Sequence, residues 1–430
     1  MTVGFYTLGC KVNQYESHML RSIFEANGYL YAPLEEHPDV IIVNSCTVTA
    51  ESDRKTRQAV RRFRRQSPAS CIVLTGCMPQ AFPQEAQALL QADVVAGNRN
   101  NHEIFALVQR FLQTGERQLA VQEHKAGEPF VCGEVGDFHE RTRAFLKIED
   151  GCDRFCTYCI IPKARGRVRS KPPQKIREEA QALAKKGYRE LVLVGINLSD
   201  YGKDLGADLG DAVEQVAGVE GIDRIRLGSL EPDQMTDEML QRLADCKKFC
   251  PQFHLSLQSG CDKTLKHMNR HYDSAFYRNL VQRLRRQFEN ASVTTDVMVG
   301  FAGESQADFE DSLNFVREIG FARAHVFAYS VRKGTPAANY PNQVPEEIKR
   351  RRSEAMIAAA AECEQKFLQT QVGTVQDVLF EQRGEDGCAE GYTPNYTPVK
   401  VCTTQDLTGK ILPIKIISAQ ADHCRGITEE

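Results

Sequence analysis

Gly151-Cys152-Asp153-Arg154-Phe155-Cys156-Thr157-Tyr158-Cys159 gathers three cysteines within eight residues. Thiolates in a C-x-x-x-C-x-x-C loop suit a soft centre, either an iron–sulfur cluster or zinc. A structural zinc needs a fourth ligand, usually from a second paired motif nearby. None follows: the next cysteine is Cys246, and the nearest upstream histidine, His139, lies beyond a charged stretch. Three ligands leave one coordination position open. The loop reads as a 4Fe-4S centre whose free iron can bind a substrate or cofactor.

Around this loop, residues 141–340 repeat a strand–helix unit. The strand candidates are Phe145–Ile148, Leu191–Val194, Ile225–Leu227, Phe253–Leu257, Val293–Val299 and His325–Tyr329. Helical patterns separate them, among them Ile176–Lys186 ended by Gly187 and Asp308–Glu318 ended by Gly320. Six units are two short of a full barrel, so the expectation is an open, partial (βα)6 barrel. Functional groups in such folds gather at the C-terminal ends of the strands, where the cysteine loop lies.

Residues 1–125 also alternate. Val3–Leu8, Val40–Asn44 and Cys71–Thr75 read as buried parallel strands, with Tyr15, Met19, Leu20, Ile23 and Phe24 at helical spacing between them. This predicts a small parallel-sheet α/β domain. Cys10, Cys46 and Cys77 each follow one of these strands, and loops beyond parallel strand ends converge on one crevice. Gly9 and Gly76 precede two of them, permitting tight turns. A second 4Fe-4S cluster is the favoured reading; three unrelated buried thiols is the plain one. Residues 126–140 read as a linker and 341–370 as a connecting helix. In 371–430, β-like pieces at Val375–Phe380, Pro398–Cys402 and Ile411–Ile417 predict a small β-barrel, a module often used on nucleic acid. Cys71 reads as a core thiol and Cys261 as lying near the barrel mouth. Cys132, Cys246, Cys250, Cys363, Cys388, Cys402 and Cys424 show no ligand spacing.

The 430 residues suggest two or three domains. Fifteen cysteines without a secretory signal argue for a reducing, cytoplasmic setting and against a disulfide framework. No stretch is apolar enough to span a membrane, and a monomer is expected. Net charge is −3, so any nucleic-acid surface is local. Arg54, Lys55, Arg57, Arg61, Arg62, Arg64 and Arg65 form a basic run with no acid. It reads equally as a solvated helix face or a grip on phosphates. Lys163, Arg165, Arg167, Arg169 and Lys171 add a second basic stretch after the cysteine loop.

Taken together, Thr-Leu-Gly-Cys10-Lys-Val-Asn-Gln, Asn-Ser-Cys46-Thr-Val-Thr, Thr-Gly-Cys77, Gly-Cys152-Asp-Arg-Phe-Cys156-Thr-Tyr-Cys159-Ile-Ile-Pro, Leu-Gly-Ser229-Leu-Glu231-Pro and Asp296-Val-Met-Val-Gly300 resemble the radical S-adenosylmethionine (SAM) methylthiotransferase family over essentially the whole chain. The tail is similar to the RNA-binding TRAM module. The resemblance implies SAM bound to the Cys152/Cys156/Cys159 cluster and cleaved to a radical that removes hydrogen from an unreactive carbon. It implies a sulfur species, methylated by another SAM, on a second cluster at Cys10, Cys46 and Cys77. Tyr158 would pack on the adenine. Gly195, Asn197, Ser229, Glu231, Gln258 and Asp296 would hold SAM or substrate, or simply bond across the barrel rim. A flavodoxin- or ferredoxin-like electron donor and a sulfur donor are implied as partners. Ile196 stands where isopentenyladenosine-directed relatives usually carry glutamine. The closest subgroup acts on N6-threonylcarbamoyladenosine at position 37, in the tRNA anticodon stem-loop, and its substrate's carboxylate and hydroxyl call for a cation or a hydrogen-bond donor, for which Arg332 is the candidate. Isopentenyladenosine, a ribosomal protein, and a non-catalytic iron–sulfur RNA-binding role are the alternatives.

Overall fold

Val40–Ser45 and Cys71–Gly76 are buried at every position, as β-branched strands covered on both faces should be. In a computed structural model that describes residues 1–133 and 142–428, they lie at the centre of a parallel sheet. Its order is Leu30–Tyr31, Thr2–Thr7, Val40–Ser45, Cys71–Gly76, Val94–Ala96, Gln118–Ala120. Helices Lys11–Ala26 and Ile104–Thr114 cover one face through Leu20, Phe24, Ile104 and Val108. Helix Ala50–Gln66 covers the other through Ala59, Val60 and Phe63. Three outer strands were not read from the sequence, because two or three residues carry no periodicity. Residues 134–140 of the expected linker lie outside the described residues.

All six expected strands of the central region form, and all pair in parallel. They are Arg143–Lys147, Glu190–Val194, Arg224–Leu227 with its continuation Ser229–Leu230, Gln252–Leu255, Ser292–Val299 and Arg323–Ala328. Gly228 divides the third strand, so the barrel is two sheets meeting at this point. The first and last strands are sheet edges, and the barrel stays open between them.

The N-terminal sheet bridges that opening. On one side, Lys147 donates to Glu16 at 2.8 Å, Tyr15 donates to Glu179 at 2.9 Å, and Tyr15 and Met19 enter the barrel core. On the other, Arg332 donates to Asp53 at 2.6 Å and Thr47 at 2.8 Å, and the Ala50 amide donates to Ser330 at 3.1 Å. At the seam, the Arg165 guanidinium is fully buried. It forks onto Glu16 and also reaches Asp150 and Asn13, each at 3.4 Å. A hairpin of Glu149–Asp150 with Arg169–Ser170, too short to read from sequence, returns the chain beside it.

The last five strands, Val375–Arg383, Ala389–Tyr392, Pro398–Val401, Cys424–Thr428 and Ile411–Ala419, close into a barrel. Helix Glu346–Thr370 leads into it. This barrel caps the N-terminal ends of the central strands. Arg224 donates to the Asp377 carbonyl at 2.7 Å, Arg226 to the Pro394 carbonyl at 2.9 Å, and Ser292 to the Asn395 carbonyl at 2.5 Å. One expectation needs correction here. Cys388 and Cys402 are not unrelated thiols but a disulfide, because Ala389 pairs with Val401 and the flanking residues therefore face each other.

Breaking a buried ion network from one side leaves uncompensated charge, at a cost of about 3–5 kcal/mol. Glu16→Gln should remove about that much stability from the cluster-free protein in a denaturant titration. Burial alone would raise the Glu16 pKa, but Arg165 and Lys147 hold it below its ordinary 4.5. Its contribution is therefore complete above that pH and is lost as pH falls through the lowered value. Glu16→Gln should flatten the acid limb of the stability profile.

Candidate active site between the cysteine loop and the parallel sheet

The cysteine loop begins at Gly151, whose φ is 91° and whose Cβ, if present, would fall 2.0 Å from the Arg167 carbonyl. Only glycine fits. Phe155 adopts a left-handed φ of 50°, and its carbonyl accepts from Asn269 at 3.2 Å. The Cys159 amide closes a turn onto the Cys156 carbonyl at 2.9 Å. Burial pushes the Cys159 thiol up to about 12, with the neighbouring Cys156 adding to it. Cys152 is raised by burial too, and by both other thiols. The three sulfurs are thus electrostatic neighbours. Arg270 donates to Cys156 at 3.3 Å and is ion-paired with Glu231. Asn197 approaches Cys152 at 3.8 Å.

The second set arises from strand register. Asn44 lies opposite both Thr7 and Thr75, and Ser45 opposite Gly76. Cys10, Cys46 and Cys77 therefore leave three adjacent strands at one level. Gly9 has a φ of 113°, and a Cβ there would lie 2.9 Å from the Cys46 Cβ. Burial pushes the Cys77 thiol up to about 12; Arg165 opposes this, and Cys46 and Cys10 add to it. Arg165 donates to Cys77 at 3.2 Å. Cys10 is exposed, Cys46 and Cys77 buried. Among the described residues, no three His, Cys, Asp or Glu side chains are grouped to hold one metal ion. Thiolates around a four-iron cluster stand farther apart than the ligands of one ion. A guanidinium beside a sulfur in each set suits ligand thiolates, which outer hydrogen bonds stabilise.

A cavity of about 1030 Å³ runs from the Cys10 turn of the sheet into the barrel. Cys10 lines it from the sheet, and Gly195, Ser229 and Asp296 from the barrel mouth. Around the mouth, buried oxygens of Glu149, Asn197 and Gln258 have no hydrogen-bond partner. Such groups are costly unless a ligand satisfies them, so the mouth fits a polar cofactor.

Residues 146–316 match the model of the radical SAM superfamily, and residues 2–97 that of an uncharacterized family, UPF0004. The threonylcarbamoyladenosine tRNA methylthiotransferase MtaB of Bacillus subtilis is 37% identical over 97% of this chain and 94% of its own length. The tRNA-2-methylthio-N(6)-dimethylallyladenosine synthase of Pelotomaculum thermopropionicum is 36% identical over 97% of this chain and 96% of its own. The chain belongs to the radical SAM methylthiotransferases. Among solved structures, the radical SAM methyltransferase TsrM of Kitasatospora setae matches with a TM-score of 0.58, over 78% of this chain and 73% of that one. At 13% identity the likeness is one of fold alone.

A radical SAM enzyme needs one 4Fe-4S cluster and SAM, and in this methylthiotransferase the expected residues divide into three groups. Gly195, Ser229 and Asp296 face the cavity; His254 at 3.4 Å, with His325 beyond it, holds the Asp296 carboxyl below its ordinary range against the upward push of burial. Asn197, Glu231 and Gln258 frame the loop. Gln258 sits at a left-handed φ of 64°, its amide bonded to the Asp296 carbonyl at 2.9 Å. Tyr158 packs edge-on against Phe301, 6.3 Å between centroids. Arg332 does not line the cavity: buried against Asp53 and Thr47, beside Cys46, it is a strut between sheet and barrel. Of the basic helix, Arg64 is tied to Asp93 and three carbonyls, Arg54 to Glu51, and Arg62 stacks over Phe63. Lys55, Arg61 and Arg65 remain exposed. Cys71 is a core thiol, and Cys261 is buried beside Asp308. Sequence reading missed Glu149 and Arg270, since an isolated charge carries no local signature, and it took Arg165 only as part of a basic stretch. No described helix is long and apolar enough to cross a membrane.

Arg270→Ala should leave Glu231 and Cys156 without their cation and cost about 3–5 kcal/mol, read as a fall in melting temperature. Arg270→Lys should recover only part, because one ammonium cannot reproduce the guanidinium fork. An unchanged melting temperature in Arg270→Ala would contradict this role.

Proposed function

We propose that this methylthiotransferase modifies C2 of N6-threonylcarbamoyladenosine at position 37 of tRNA. In this reading residues 1–125 carry the sulfur, 141–340 the SAM chemistry, and 371–430 contact RNA. Cys152, Cys156 and Cys159 would hold one 4Fe-4S cluster, and Cys10, Cys46 and Cys77 a second. Bound there, the first supplies the electron that cleaves SAM, and the second carries the sulfur that joins the substrate carbon.

The observation that carries the reading is the shared cavity, lined by Cys10 on one side and by Gly195, Ser229 and Asp296 on the other. In this reading a carbon held in it lies between the Cys10 turn and the barrel mouth, where the two chemistries would meet. The protein's own work is positioning and exclusion. Arg270 and Asn197 orient the loop sulfurs, Arg165 orients Cys77, and the capping barrel closes the lumen from below. An anticodon-loop base can leave its stack to enter, which favours RNA over a folded protein segment. Exposed Lys55, Arg61 and Arg65, on the helix after the Cys46 loop, suit the flanking phosphates. The relatives named above divide between the threonylcarbamoyl and dimethylallyl forms. The polar lining of the cavity, with Lys11, Gln14 and His254, suits the carboxylate-bearing form.

Reconstituted wild-type protein should hold about eight irons per chain, two clusters' worth. Replacing Cys152, Cys156 and Cys159 by Ala should halve the iron and abolish SAM cleavage. Replacing Cys10, Cys46 and Cys77 should halve the iron, abolish sulfur insertion and spare SAM cleavage. About four irons in the wild type would defeat the second cluster.

Reversing Arg61 and Arg65 to Glu should weaken tRNA binding and reduce its salt slope by about two, with iron content unchanged. Arg64→Glu should act on stability instead. Equal affinity of wild type and double variant at low salt would return this helix to a solvated face.

A further inference from the structure

Each arginine facing the cavity can be followed to its partner. Arg143 bonds Glu381 at 2.5 Å and lies 3.7 Å from Glu190. Arg226 bonds Glu190 at 2.9 Å. Arg323 faces Glu364 at 4.0 Å, and His254 lies between Thr294 and Asp296. Lys11 lines the same cavity and, among the described residues, has no hydrogen-bond or ion-pair partner. It is the first residue of helix Lys11–Ala26, whose first turn contains no acid. A cation there opposes the helix dipole, and Cys10 and Glu190 favour it against the nearby Arg143 and Arg226. The side chain is exposed, and the space it meets is the cavity.

We propose that Lys11 is the substrate-specificity residue of this enzyme, its ammonium pairing with the free carboxylate of the threonylcarbamoyl group. The inference rests on the substrate class proposed above. Two features of chemistry favour a carboxylate in this position. The N6 substituent and C2 lie along the same Watson–Crick edge of adenine. Lys11 is the chain neighbour of Cys10, so an ammonium that grips the N6 substituent brings C2 toward the sulfur-bearing cysteines. A phosphate of the RNA backbone is the less suitable anion, because the cavity mouth admits a splayed base before its backbone. Lys11 also does what Arg332 cannot, since the Arg332 guanidinium is already paired with Asp53.

The test compares two anticodon stem-loops, one carrying threonylcarbamoyladenosine and one its methyl ester, which removes the charge and little else. A site built around a polar group rejects an analogue lacking it by a large factor, here taken as about 100-fold in kcat/KM. Reconstituted wild type should favour the acid by that factor. Lys11→Met should lose the preference, chiefly through a higher KM for the acid, with acid and ester turned over alike. Lys11→Arg should retain most of the preference, which separates charge from fold. A Lys11→Met enzyme that keeps the wild-type acid-to-ester ratio while slowing on both would overturn the proposal and assign Lys11 to the neighbouring cysteine. Failure of the underlying substrate reading is distinct: wild type would ignore both stem-loops and modify isopentenyladenosine.

Discussion

The guanidinium of Arg165 is the contact on which the active site depends. It lies in the chain just after the cysteine loop, yet its partners belong to both halves of the site. Glu16 and Asn13 come from the N-terminal helix, Asp150 from the strand end that leads into the loop, and Cys77 from the second cysteine set. Lys147 joins Glu16 to Asp150 beside it. Burying so many charges carries a desolvation penalty that hydrophobic residues would avoid. What the network contributes is register: only one placement of sheet against barrel satisfies every carboxylate and guanidinium. A greasy seam would hold the halves together without fixing where Cys77 stands relative to the loop.

That register turns an incomplete barrel into an enclosed site. Six strands leave a gap between Arg143–Lys147 and Arg323–Ala328. The N-terminal sheet spans it, anchored by Glu16 on one side and by the Asp53–Arg332 pair on the other. The terminal barrel closes the far end through Arg224 and Arg226, whose guanidinia bond backbone carbonyls. The same topological rule places both cysteine sets, because parallel strands present their C-terminal loops to one side. Two such edges turned toward each other give a cavity with Cys10 at one margin and the barrel-mouth residues Gly195, Ser229 and Asp296 at the other.

The sequence carried this architecture well where the signal is local. Both cysteine sets, the six central strands and the parallel character of the first sheet follow from spacing and β-branched runs such as Ile41–Val43. The short strands at Val94–Ala96 and Gln118–Ala120 could not be read, since three residues define no period. Long-range pairing was the larger gap. Arg332 looked like a free cation because its partner, Asp53, is distant in sequence, while Lys11, hidden in a cysteine motif, is the cavity cation without a hydrogen-bond or ion-pair partner among the described residues. Cys388 and Cys402 paired for the same reason: their proximity is a property of strand register, not of spacing.

The central claim is that the two cysteine sets act on one carbon of one modified adenosine. Mass spectrometry of tRNA nucleosides from cells with and without this gene tests it most directly. The account predicts that 2-methylthio-N6-threonylcarbamoyladenosine disappears from the deletion strain while N6-threonylcarbamoyladenosine accumulates in its place. Loss of the 2-methylthio isopentenyl nucleoside instead, or an unchanged tRNA profile, would contradict it.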